Sequence, residues 1–169
     1  MGFLYTVSGA HLSLVPGGGA GTIITLVSIH PLATVLGQHI KIHRMWAGQD
    51  ENATSAMVRV SWGFKEDAQD TLTAATPVGH NKNAPTAAIH GGTDGATGHA
   101  GVNASAQGAG AYTVIGTDAF NALNGWLWIP TPDERIELQY SATTTFVLCF
   151  PVSAATAAGW NFGVTFEEC

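Results

Sequence analysis

The chain is poor in charge. Of its 169 residues, 11% are Asp, Glu, Lys or Arg, less than half the ~25% usual for a folded domain. Six Lys and Arg stand against twelve Asp and Glu, a formal net charge of -6. That balance gives no basic footprint for a phosphate backbone, so nucleic acid is not an expected partner. So few charges over so much surface also imply that other protein covers part of it in the working state, because a free monomer depends on charge for solubility. Cysteine is scarce too. Of the two, Cys149 lies inside the apolar run TFVLCF and Cys169 is the last residue printed; they build no disulfide framework, and Cys149 reads as a buried free thiol. No stretch reaches the ~18 consecutive apolar residues of a membrane-spanning helix, so no membrane partner is expected. MGFLYTVSG lacks the basic and apolar regions of a secretory signal. Without such a signal, the sequons at Asn52 and Asn103 read as accidental. Helical periodicity is nearly missing, with short candidates only around Thr117–Asn124 and Ser153–Ala158.

What is present is period-two alternation. Phe3, Tyr5 and Val7 alternate with other residues; so do Ile40 and Ile42 in HIKIHRMW, and Val58, Val60 and Trp62 in AMVRVSWGF. Further runs are TIITLVSIH after Gly17-Gly18-Gly19, AYTVIGT, GWLWIP, ERIELQY, TFVLCF and WNFGVTFEE. Alternation with β-branched and aromatic residues marks half-buried strands. About eight to ten strands without βαβ spacing predict an all-β, antiparallel sandwich in one domain spanning 1–169, of the jelly-roll kind.

Three runs are apolar on both faces: TIITLVSIH, GWLWIP and TFVLCF. A sandwich strand buries one face in its own core, so the other needs a cover, either a sister subunit or a long loop. On the first alternative the subunit-interface candidates are Ile23, Val27, Trp126, Trp128 and Val147. The loop runs from about Lys65 to Gly110, rich in Gly, Ala, Thr and His, and is read as an arm without regular structure. Loops of that length inside a compact domain need a reason. His80, His90 and His99, spaced along it, are the candidates for an arm that contacts a partner.

The sequence offers no chemistry that stands out. His39 and His43 lie about 13 Å apart along an ideal strand, too far for one ion. The loop histidines, with Asp94 between them, carry no CxxC or HxH spacing that fixes a metal. No G-x-S-x-G elbow occurs, and GGGAGT lacks the lysine of a phosphate loop. Asp133, Glu134 and Glu137 gather round Arg135, and an Arg135–Glu137 ion pair on one strand face is the simpler account. Trp62, Trp160 and Trp46 are read as core. No catalytic, cofactor-binding or metal-binding residue is assigned, and no cofactor is implied.

The segments YTVSG, HIKIHRMWAGQ, SAMVRVSWG, Thr76-Pro77, DAFNALNGWLWIPTPDERIEL and GVTFEE together resemble small virion structural proteins of tailed phages and prophages, of the jelly-roll capsid cement or decoration type. The resemblance implies a non-enzymatic protein on the virion's capsid surface, a homotrimer that clamps the major capsid protein. Other expectations are a tail or receptor-binding head domain with a carbohydrate-binding surface, or a host jelly-roll lectin or enzyme.

Overall fold

The computed structural model describes residues 2–14, 23–31, 39–51, 55–66, 70–92, 98–139, 141–151 and 159–169. Its strands are β1 (Phe3–Leu12), β2 (Ile24–Ile29), β3 (His39–Gln49), β4 (Met57–Glu66), β5 (Thr71–Ala74), β6 (Val78–Gly79) and β7 (His90–Gly91). They continue with β8 (His99–Ala106), β9 (Tyr112–Asn121), β10 (Trp126–Trp128), β11 (Glu137–Gln139), β12 (Thr144–Phe150) and β13 (Trp160–Glu168). Among the described residues there is no α-helix. The Thr117–Asn124 candidate is the end of β9 followed by a turn, because its inward side chains pair with β4 as a ladder. The Gly17–Gly19 turn and the Ser153–Ala158 candidate lie outside the described residues.

Two antiparallel sheets pack face to face. One is ordered β10-β3-β13-β1-β6, with β11 also on β3; the other is ordered β5-β8-β2-β12-β4-β9, with the short β7 parallel to β8. The first four strands alternate between the sheets, and the late strands slot between them: β1-β13-β3-β10 on one side, β2-β12-β4-β9 on the other. Two interleaved Greek keys of this order make a jelly roll. The core between the sheets is aromatic at its centre, where Trp160, Phe162, Phe166, Phe146 and Phe150 are all fully buried.

The 65–110 segment differs from the irregular arm that its composition suggests. It inserts between β4 and β9 and widens one sheet by two strands, with β8 pairing both β2 and β5. The alternation of β8 is hidden because its buried side chains are small: Ala100, Val102 and Ala104. At Gly101 a Cβ would come within 2.6 Å of the Leu72 Cβ, so a bare backbone is what lets β5 and β8 close together. Elsewhere the segment is pinned down. Both Glu168 carboxylate oxygens accept backbone N–H groups, from Ala88 and Ile89, at 2.9 Å, and Tyr5 Oη donates to the Pro85 carbonyl at 3.0 Å.

Candidate functional site

Two of the three strands expected to face a sister subunit, β2 and β12, are covered from within. In β2 a bulge at Leu26 resets the alternation: Ile24, Val27 and Ile29 pair with Phe150, Leu148 and Phe146, and all belong to the main core together with Leu26. Thr25 and Ser28 take the other face. The strand therefore has one apolar face, and Val27, 0% exposed, offers nothing to a partner. Val147 does lie on the far face of β12, but it is buried too. The cover comes from the inserted segment. Asp70 bonds the Lys65 ammonium on β4 and the Thr25 hydroxyl on β2, the latter at 2.6 Å; β12 lies between those strands, so Asp70 sits across its outer face. Tyr112 Oη, 3.1 Å from Ser61 Oγ and 3.3 Å from Cys149 Sγ, roofs the same face. Burial pushes the Cys149 thiol up, away from a reactive thiolate.

Trp126 is likewise inside. Its ring lies 5.4 Å from that of Trp62, and its Nε1–H donates to Asp118 at 3.0 Å. Trp128 packs 5.7 Å from Trp62 and is half-buried. Ile23, just before β2, is half-buried as well. In GWLWIP the side chains that reach solvent are the other pair, Leu127 at 59% and Ile129 at 65% exposed.

The exposed apolar groups gather at the lateral margins of the sandwich instead of on its faces. Strands β9 and β10 are the terminal strands of their sheets, and the Trp126–Asp118 bond shows that they lie on the same side. Met57, Val114, Ile115, Leu123, Leu127 and Ile129 all stand exposed on or beside these two strands. β9 presents ten residues, YTVIGTDAFN, at the end of its sheet order, with a bulge at Ile115. Its one charge, Asp118, is taken up by Trp126. On the opposite margin Phe3 and Val78 are exposed.

The loop histidines do not form one arm. His80 follows β6, where its Nε2 lies 2.6 Å from Thr6 Oγ1 on the outer face of the first sheet. His90 and His99 sit across the β7–β8 pair of the other sheet, ring centroids 5.8 Å apart. Among the described residues no group of three or more His, Cys, Asp or Glu is placed to hold a metal ion; Asp94 lies outside them. One further expectation is corrected, and two other residues find partners. Glu137 pairs with Lys41 at 3.0 Å rather than with Arg135, because β11 lies on β3. His43 binds Glu167 at 3.0 Å; burial works to raise the Glu167 carboxyl, but that hydrogen bond and charge hold it below its ordinary range. Cys169 is fixed by two backbone bonds with His39.

Trp46 is the residue that sequence reasoning misplaced. The pairing of β3 with β13 slips at His43, so the alternation that buries Ile40 and Ile42 resumes at Met45 and Ala47. Trp46 turns to the outer face, opposite Gly163, where any Cβ would overlap the indole. Arg44 lies over the ring, 5.0 Å from its centroid. Beside the indole, over Gly48 and Gly125, opens a depression of about 390 Å³ walled by Trp46, Leu127, Asn124, Gln49 and Asn161.

No protein-family model and no curated protein matches the chain.

Proposed function

We propose that this chain is a virion structural protein of the capsid cement type. It assembles as a trimer on the capsid surface and stabilises the lattice of the major capsid protein by binding, without bond-making chemistry. The observation that carries the reading is the β9–β10 margin. Six large apolar side chains there are exposed, on or beside β10 and the ten-residue β9, whose single charge is already engaged. Proteins that work alone blunt such edges with charge, proline or cover; left open, an edge offers main-chain hydrogen bonds and apolar anchors to a neighbour. The low charge of the whole chain and the likeness of its GWLWIPTPDERIEL and GVTFEE segments to cement proteins agree with this. The inserted segment serves as part of the sandwich wall, and its histidines mark the two outer faces instead of a free arm.

The test is a double substitution, Val114→Glu with Ile115→Glu, in the full chain. Both side chains are about half exposed, and surface changes of this kind cost within about ±0.5 kcal/mol of folding stability. Co-sedimentation with capsids assembled without the protein is expected to fall by about tenfold or more, a change of ~1.4 kcal/mol, while the unfolding midpoint holds. Unchanged co-sedimentation would overturn the margin as the contact.

A further inference from the structure

We infer that Asn124 is a modification site, converting spontaneously to aspartate and isoaspartate in the free chain. An asparagine loses its amide when the backbone nitrogen of the next residue attacks the side-chain carbonyl. Three conditions favour that attack: a side-chain amide held by nothing, a following N–H bound to nothing, and no Cβ on the following residue to obstruct the approach. Asn124-Gly125 meets all three. Asn124 closes the turn after β9 through its own N–H, which donates to the Asn121 carbonyl at 2.9 Å, while its side chain stands exposed. Among the described residues neither the Asn124 side-chain amide nor the Gly125 N–H has a hydrogen-bond partner. Gly125, at φ +69°, precedes the three-residue ladder of β10. The peptide between the two residues can therefore turn into line without giving up a ladder bond of its own.

The other described asparagines each fail a condition. Asn161 has both amide atoms engaged, by the His11 backbone and by Asp50. Asn103 donates to the Ser13 carbonyl and is followed by Ala104, buried in β8. Asn121 donates to Ser55 and accepts from the Leu123 backbone, and the next N–H, that of Ala122, donates to the Ala56 carbonyl. Behind Asn83, the Ala84 N–H donates to the Asn81 carbonyl. Asn81 accepts from the Asn83 backbone and precedes a lysine. In the reaction the Gly125 nitrogen, deprotonated by hydroxide, bonds to Asn124 Cγ. The Cγ–Nδ2 bond breaks, and the amide nitrogen takes a proton from water and leaves as ammonia. Water then opens the five-membered imide. Cleavage at Cγ gives aspartate; cleavage at the backbone carbonyl gives isoaspartate, with the chain rerouted through Cβ and Cγ. One water enters, one ammonia leaves and one carboxylate is gained. That carboxylate lies between Leu123 and Leu127, 50% and 59% exposed. If that margin is the capsid contact, as proposed above, assembled copies shield Asn124 and copies left free lose affinity with age.

The experiment incubates the full chain at neutral and mildly alkaline pH and follows it by peptide mass spectrometry with isoaspartyl methyltransferase labelling. Conversion at Asn124 is expected to outpace every other asparagine by about tenfold or more, a barrier difference of ~1.4 kcal/mol. It should quicken as pH rises, because the attacking nitrogen must lose its proton. It should vanish in Asn124→Gln, where the same attack has to close a six-membered ring. The inference is overturned if Asn124 stays an amide in the folded chain while the urea-unfolded chain converts, or if another asparagine converts as fast. Co-sedimentation with capsids reads the consequence separately. Asn124→Asp should bind about tenfold less tightly than Asn124→Gln, since docking would strip water from the new charge. Equal binding would overturn the loss with age and leave the modification site standing.

Discussion

Asp70→Ala is expected to lower the unfolding free energy by about 3–5 kcal/mol, the loss that follows when one partner of a buried ion pair is removed. The side chains of Lys65 and Asp70 are 7% and 1% exposed. Asp70 also accepts from the Thr25 hydroxyl at 2.6 Å and from the Gly108 backbone at 2.8 Å. Alanine would leave an ammonium, a hydroxyl and an amide under the sheet with their shared acceptor gone. The pair itself is worth far less than its disruption, since desolvating two charges offsets most of their attraction. The double variant Lys65→Met with Asp70→Leu should therefore recover most of the loss. Urea unfolding at neutral pH reads both. A single-variant loss below ~1 kcal/mol, the range of exposed pairs, would show that the inserted segment does not seal this face.

Trp160→Ala should cost a similar amount, about 3–5 kcal/mol, as large aromatic truncations in packed cores do. Trp160 is fully buried, and its ring meets Phe150 edge-on at 4.9 Å and Phe120 at 6.4 Å. Those phenylalanines belong to the opposite sheet, so the indole ties the two layers together. The cavity left by alanine would sit between sheets whose strands cannot slide to fill it without breaking ladders. Thermal and urea unfolding would check this. A loss near that of a surface substitution would mean that the sheets close by other contacts.

These two residues show what the sequence made legible. The aromatic on the clean alternation of WNFGVTFEE lies where its period puts it, and the same holds for Val58, Val60 and Trp62. The sandwich followed from such runs. Asp70 gave little local signal: Lys65, five residues away, pairs with it only because the chain folds back over the sheet, and Thr25 and Gly108 are 45 and 38 residues away. Bulges explain the errors of face. One residue skipped at Leu26 turned an apparently two-faced strand into a one-faced strand, and one skipped at His43 brought Trp46 to the surface. Alternation counts residues and cannot see a skip. β8 escaped notice for a different reason: its buried alanines carry too little apolar bulk to stand out among the glycines and threonines around them. The exposed margin was half visible. GWLWIP was singled out, but the tryptophans go inward to Trp62 and Asp118, and Leu127 and Ile129 face solvent.

The capsid reading is tested most directly by counting this chain in purified particles. On that reading, quantitative mass spectrometry of virus particles purified from the source of the chain should find the protein at a fixed ratio to the major capsid protein. That ratio should persist in capsids stripped of their tails. Absence from the particles, or presence only in the tail fraction, would contradict the account.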